Sequence, residues 1–232
     1  MGGRFCHDSK ACRTALFSLA EYCERERAAD SKSEFFQGEI FAMAGGTINH
    51  SRISGRVYAA LQQRLEGRRC EAFNSDLMVV IPAASLGTYP DVSVVCGDLQ
   101  TDAETPNAVT NPTTIVEVLS DSTETWDRGK KFQSYMKLES LREYILVSQK
   151  EPRVEWFHRK DNGDWAIGMV EGIGSDFTFP ELGSPSRWRK SMRAWNLRGA
   201  ASAVMRLGSG GQIARRARIL FAEKACHFCR NR

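Results

Sequence analysis

Two short runs constrain this chain more than any other stretch: Tyr89-Pro90-Asp91-Val92-Ser93-Val94-Val95 and Thr114-Ile115-Val116-Glu117-Val118-Leu119-Ser120. Each is apolar and of strand length, and each carries a carboxylate where a buried strand carries none. An ionised Asp or Glu in a desolvated strand is costly unless it is paired or holds a cation. Two such anomalies close together in the chain predict one shared site. Side chains alternate along a strand, so Ile115, Glu117 and Leu119 share a face, as do Asp91, Ser93 and Val95. If the two strands are neighbours in suitable register, both carboxylates reach one ion. Hard oxygen ligands completed by water and phosphate suit Mg²⁺ or Mn²⁺.

Composition sets the frame for that site. With 232 residues, 42% of them hydrophobic and 26% charged, the chain suits one domain with appendages. No apolar run approaches the roughly 18–20 residues that span a membrane, so no membrane partnership is expected. The N-terminus has neither the basic start nor the apolar core of a signal peptide. The seven cysteines (Cys6, Cys12, Cys23, Cys70, Cys96, Cys226 and Cys229) are odd in number and follow no regular framework. Reduced thiols in a cytoplasmic protein are the expectation. The net charge of +4 hides an asymmetry. Residues 184–232 hold 12 Lys and Arg against one acid, Glu223, a net of +11, which leaves residues 1–183 at −7. Overall basicity is therefore no evidence that the body binds nucleic acid.

Along the chain, residues 1–15 show no period and read as an N-terminal extension. Cys6, His7 and Cys12 supply no closed four-ligand zinc site. Residues 16–29 read as a charged helix and 35–44 as a strand ended by Gly45-Gly46. Thr47 or Asn49 then caps a helix to about Glu66, with His50, Ile53, Val57, Leu61 and Leu65 on its inner face and Gly67 as its stop. Residues 73–81 read as a strand containing Asp76, antiparallel to the Asp91 strand that follows. A polar loop over 97–112 leads to the Glu117 strand, a helix over about 123–138 and a strand over 143–147. Gly129 weakens the continuity of that helix. Residues 153–159 and 165–170 form a hairpin turning near Asp161-Asn162-Gly163. The pattern predicts an α/β or α+β domain, with a mixed β-sheet core flanked by helices, over 16–183.

Asp127, Lys131 and Tyr135 are spaced by four and share a helix face. Lys131 is therefore the cation that completes the site, orienting water or countering developing charge. Lys130 lies roughly 100° around the helix and faces solvent.

From about residue 19 to 170 the chain resembles the Uma2 family, which has the PD-(D/E)xK restriction-endonuclease-like fold. The resemblance is carried by Lys32-Ser33-Glu34, Gly38-Glu39-Ile40 and Met43-Ala44-Gly45-Gly46 leading to His50. It continues through Tyr89-Pro90-Asp91-Val92, Val116-Glu117-Val118-Leu119-Ser120 and Asp127-Arg128-Gly129-Lys130-Lys131-Phe132, then Tyr135 and Glu143-Tyr144. The resemblance implies a Mg²⁺-dependent endonuclease acting on DNA, with Asp91 and Glu117 as metal ligands and Lys131 as the catalytic lysine. Glu39 and His50 match positions bordering the site, and Asp76 is a further residue placed at its edge. One departure is informative. The wider superfamily puts a lysine two residues after the acidic ligand, and here that position is Leu119, so the cation comes from the following helix. The rival reading is a catalytically silent protein of the same fold that binds nucleic acid or a protein partner. A homodimer is compatible with either.

The C-terminal segment 184–232 departs from the family pattern. Its loss of acids and of hydrophobic period fits a non-native sequence, from read-through or a shifted frame, that stays disordered; its rival is a basic arm that raises DNA affinity without sequence choice. Truncation near Leu182 separates them. Unchanged DNA affinity and salt dependence would exclude the arm, whereas a weaker, less salt-sensitive complex would establish it.

Overall fold

A computed structural model of the chain describes residues 16–102 and 105–172. The first helix, α1 (Leu19–Ala28), starts at a capping box: the Ser18 hydroxyl accepts the Glu21 amide, and the Glu21 carboxylate accepts the Ser18 amide. The expected strand over 35–44 is instead a hairpin, β1 (Ser33–Phe36) and β2 (Glu39–Ala42). Gln37 and Gly38 turn it with φ of 50° and 97°, a left-handed pair that alternation alone does not announce. Helix α2 (Ile48–Leu65) is capped by Thr47 and followed by Gly67 at φ 76°, and Ile53, Val57, Leu61 and Leu65 are buried as their spacing requires.

The run over 73–81 is not one strand. It divides into β3 (Cys70–Asn74) and β4 (Met78–Ile81), which enter different sheets, because the Asn74 side chain accepts the Asp76 amide and turns the chain. After a short turn, β5 (Leu86–Thr88) and β6 (Val92–Cys96) follow. β6 is antiparallel to β3, so the expected pairing holds for that half of the run. The polar stretch over 97–112 contains β7 (Thr101–Asp102) and β8 (Thr105–Val109), the latter parallel to β4. Next come β9 (Thr114–Leu119), α3 (Glu124–Trp126), a wide π-type turn (Asp127–Lys131) and α4 (Phe132–Tyr135). The expected single helix over 123–138 is thus broken, with Gly129 at φ −111° and ψ −108°. Strands β10 (Glu143–Ser148), β11 (Arg153–Arg159) and β12 (Trp165–Glu171) complete the described chain.

The strands form two six-stranded sheets, ordered β2-β1-β5-β4-β8-β7 and β12-β11-β10-β9-β6-β3. This is the mixed α+β core expected. Tyr22 and Cys23 of α1 pack with Phe35, Met78, Val80 and Ala108 on one face of the first sheet. Its other face, with Val79, Ile81, Leu86 and Val109, meets Val95, Ile115, Leu119 and Leu146 of the second. The far face of the second sheet (Val92, Val94, Val116, Val118, Ile145) is covered by α2. Expected thiol chemistry fails at one pair: Cys70 and Cys96 face each other across β3 and β6 and are joined as a disulfide. The extension 1–15 and the segment 184–232 lie outside the described residues. No helix among the described residues is long and apolar enough to cross a membrane.

Leu61 is fully buried between α2 and the second sheet. Leu61→Ala is expected to lower the unfolding free energy by about 2–5 kcal/mol, read from urea denaturation, because that interface cannot collapse around the deleted atoms.

Candidate active site

All six residues of β9 are buried. Val116 and Val118 point under α2, which turns Ile115, Glu117 and Leu119 into the space between the sheets. A carboxylate is thereby carried into an apolar seam. Antiparallel β6 pairs Val92 with Val116, and one step further the register sets Asp91 level with Glu117. Asp91 precedes the strand proper, and its Oδ2 accepts the Val118 amide at 2.7 Å, where the ladder between β6 and β9 ends. His50 Nε2, from the first turn of α2, lies 3.2 Å from Asp91 Oδ1. That contact raises the imidazole above its ordinary range, against the opposing effect of burial.

The cation arrives from the broken helix. Gly129 lets the backbone open into the π-type turn, a feature frequent at functional sites. Asp127 and Lys131 both turn inward and are buried. Lys131 Nζ lies 2.8 Å from Glu34 Oε1, 3.0 Å from Glu117 Oε1 and 3.5 Å from Asp127 Oδ1. Tyr135, one turn on, donates to Glu117 Oε1 at 2.9 Å, and Thr88 donates to Glu34 Oε1. Tyr144 donates to the Asp127 carbonyl at 2.9 Å. Asp127 Oδ1 is buried without a hydrogen-bond partner; its approach to Lys131 is an ion pair only.

The charges do not balance. Four carboxylates (Glu34, Asp91, Glu117 and Asp127) converge on one lysine and one histidine. Burial lowers the Lys131 affinity for its proton, but Glu117, Glu34 and Asp127 outweigh that and hold it charged, well above the ordinary lysine range. Glu117 is the group that gives way. Burial pushes it up to about 8 against the pull of Lys131, with Asp127, Asp91 and Glu34 adding to the rise. Burial raises Asp127 as well.

The fold thus brings together Asp91, Glu117 and Lys131, with His50 on Asp91. Glu39 shares the hairpin face of Glu34, two cross-strand pairs nearer the turn, and is exposed to solvent. Asp76 is exposed in the turn after β3, ion-paired to Lys32 at 2.5 Å, and is not brought into the cluster. Lys130 is exposed. Glu34, to which the sequence pattern assigns no role, joins the cluster through Lys131. Its sequence signal is that of Glu117, a carboxylate inside a short apolar strand, here next to Phe35 and Phe36.

The two-sheet mixed α+β framework is shared with a solved structure of nuclease fold. A crystal structure described as "a putative nuclease belonging to DUF820" from Anabaena variabilis ATCC 29413 matches with a TM-score of 0.60. That match has 15% identity and covers 77% of this chain and 98% of the other. The family profile described as "Uma2: Putative restriction endonuclease" matches residues 19–178, and the chain belongs to this family. Two relatives from Synechocystis sp. share the body. The "Uncharacterized protein slr1290" is 42% identical over 150 residues, 65% of this chain and 78% of that protein. The "Uncharacterized protein sll1609" is 35% identical over 166 residues, 72% of this chain and 94% of that protein.

A carboxyl whose pKa is raised by folding binds a proton in the native state that the unfolded chain releases earlier. Its stabilising contribution is therefore complete below about 4.5 and is lost as pH climbs through about 8. In a divalent-free buffer, stability is expected to fall between about pH 5 and 8. Glu117→Gln should flatten that fall, as measured by chemical denaturation across pH.

Proposed function

We propose that the protein is a metal-dependent endonuclease that hydrolyses DNA phosphodiester bonds, with Asp91 and Glu117 as ligands of Mg²⁺ or Mn²⁺. The observation that carries the reading is the charge excess: four buried or half-buried carboxylates face one lysine and one histidine, and a divalent cation offsets what remains. The donor set fits a hard cation. It offers carboxylate oxygens on adjacent strands, and a buried Asp127 oxygen nearby lacks a hydrogen-bond partner. Among the described residues no group of three or more His, Cys, Asp or Glu side chains is placed to hold a metal ion. The ion of this reading would therefore rest on one or two carboxylates, with its remaining positions going to water and substrate phosphate. Such an ion, when bound, lowers the pKa of water and stabilises charge on the attacked phosphate.

The chain's own groups have separate tasks. Asp91 is clamped by the Val118 amide and His50, so its orientation is set by the sheet and not by the ligand. Lys131 is held charged by three carboxylates, so it acts as a cation and hydrogen-bond donor and does not take the proton of the attacking water. It orients that water and counters charge developing on the phosphate. Tyr135 fixes the Glu117 oxygen that also meets Lys131. In the second reading a catalytically silent protein of the same fold binds nucleic acid or a protein partner, and the net charge of −7 over residues 1–183, which repels a polyanion, favours the protein partner.

Supercoiled plasmid incubated with Mg²⁺ or Mn²⁺ is expected to be nicked by the wild type and protected by EDTA. Asp91→Ala, Glu117→Gln and Lys131→Met should each reduce nicking by roughly 10²–10³-fold. Equal nicking by wild type and Asp91→Ala would identify a contaminant. No cleavage by the wild type with either metal would favour the silent binder.

A further inference from the structure

Gly45 and Gly46 stand side by side before α2, yet only one of them is pressed by its surroundings. A Cβ added at Gly46 would meet His50 Nδ1 at 2.8 Å, Cγ at 3.0 Å and Cβ at 3.3 Å; one added at Gly45 would meet nothing within 4 Å. Neither glycine has a positive φ, so the backbone demands glycine at neither position. What Gly46 provides is room for a ring. The backbone of His50 is anchored independently, because its amide donates to the capping Thr47 hydroxyl at 3.0 Å. The imidazole therefore moves only by rotation about its two side-chain torsions, and it is bounded on both sides. Gly46 lies against the Nδ1 edge, and Asp91 Oδ1 receives Nε2 at 3.2 Å. The other Asp91 oxygen is tied to the Val118 amide, next in sequence to Glu117.

We propose that Gly46 and His50 are positioning residues for Asp91: the missing side chain at Gly46 lets the imidazole lie where its Nε2 fixes the Asp91 carboxylate beside Glu117. The consequence for cation binding rests on the reading of Asp91 as a metal ligand, whereas the geometry does not. The three atoms nearest a methyl group at position 46 all belong to the His50 side chain: rotation carries Nδ1 and Cγ away, and Cβ at 3.3 Å has to give by only a few tenths of an ångström, so the ring turns away and the fold stays intact. Partners that orient a metal ligand typically govern roughly 10–100-fold in metal affinity. The chain carries its own control, since a methyl group at position 45 enters open space.

The test uses the full chain labelled with ¹⁵N-histidine, with His50→Ala to assign the His50 signals, and Mn²⁺ titrated by calorimetry. Gly46→Ala is expected to shift the His50 ring resonances in the same sense as Asp91→Asn and to weaken Mn²⁺ binding roughly tenfold. Gly45→Ala should change neither. In a His50→Ala background, Gly46→Ala should cost no further Mn²⁺ affinity, because the ring it displaces is gone. Unmoved His50 resonances in Gly46→Ala, or an equal loss of affinity with and without His50, would overturn the proposal. If the wild type binds no Mn²⁺, the nuclease reading fails by itself. The resonances then decide the positioning claim: a shift in Gly46→Ala but not in Gly45→Ala supports it, and no shift refutes it.

Discussion

The ammonium of Lys131 is the contact on which the site depends. It is nearly inaccessible to water, and a lone buried lysine would lose its proton. Here three carboxylates, from β1, β9 and the turn itself, surround it. Without it those acids would lose their cation, and the buried ones would have to hold protons to remain in the seam. The arrangement is over-acidic by design of the fold. One lysine neutralises one carboxylate, and the remainder either hold protons or await a cation. That surplus turns a structural ion cluster into a candidate catalytic one.

Backbone irregularities aim the groups. The ladder between β6 and β9 stops at Val92 and Val116, which frees the Val118 amide for Asp91. Opening the helix around Gly129 brings Asp127 and Lys131 inward together, while Lys130 between them is left in solvent. The stacked Phe132 and Tyr144, with Phe157 and Trp165 against them, form an aromatic floor beneath this turn. Rigid packing of this kind holds the turn in a conformation that local propensity would not choose.

Much of this was readable in the chain, for identifiable reasons. Glu117 stood out because burial and charge conflict in a Val, Ile and Leu run, and α2 was legible because Ile53, Val57, Leu61 and Leu65 recur at helical steps. Lys131 was found through its spacing from Asp127 and Tyr135, although the helix assumed for that spacing is broken. The misses are non-local. Whether residues 73–81 make one strand or two depends on which sheet each half joins, and the turn at Asn74 is set by a side-chain bond that no periodicity reveals. Glu34 escaped because its partner, Lys131, comes from the far side of the chain. Cys70 and Cys96 were invisible as a pair until β3 and β6 were placed in register.

The Glu34–Lys131 contact spans 97 positions, and its two ends arrive from opposite sides of the interface between the sheets. Closing so long a loop comes late in folding, after local pairings have formed. A chain still emerging from the ribosome, before residue 131 is available, has Asp91 and Glu117 but no ammonium to gather them. The four-carboxylate cluster therefore closes around its cation only once residue 131 has been made and the two sheets have met.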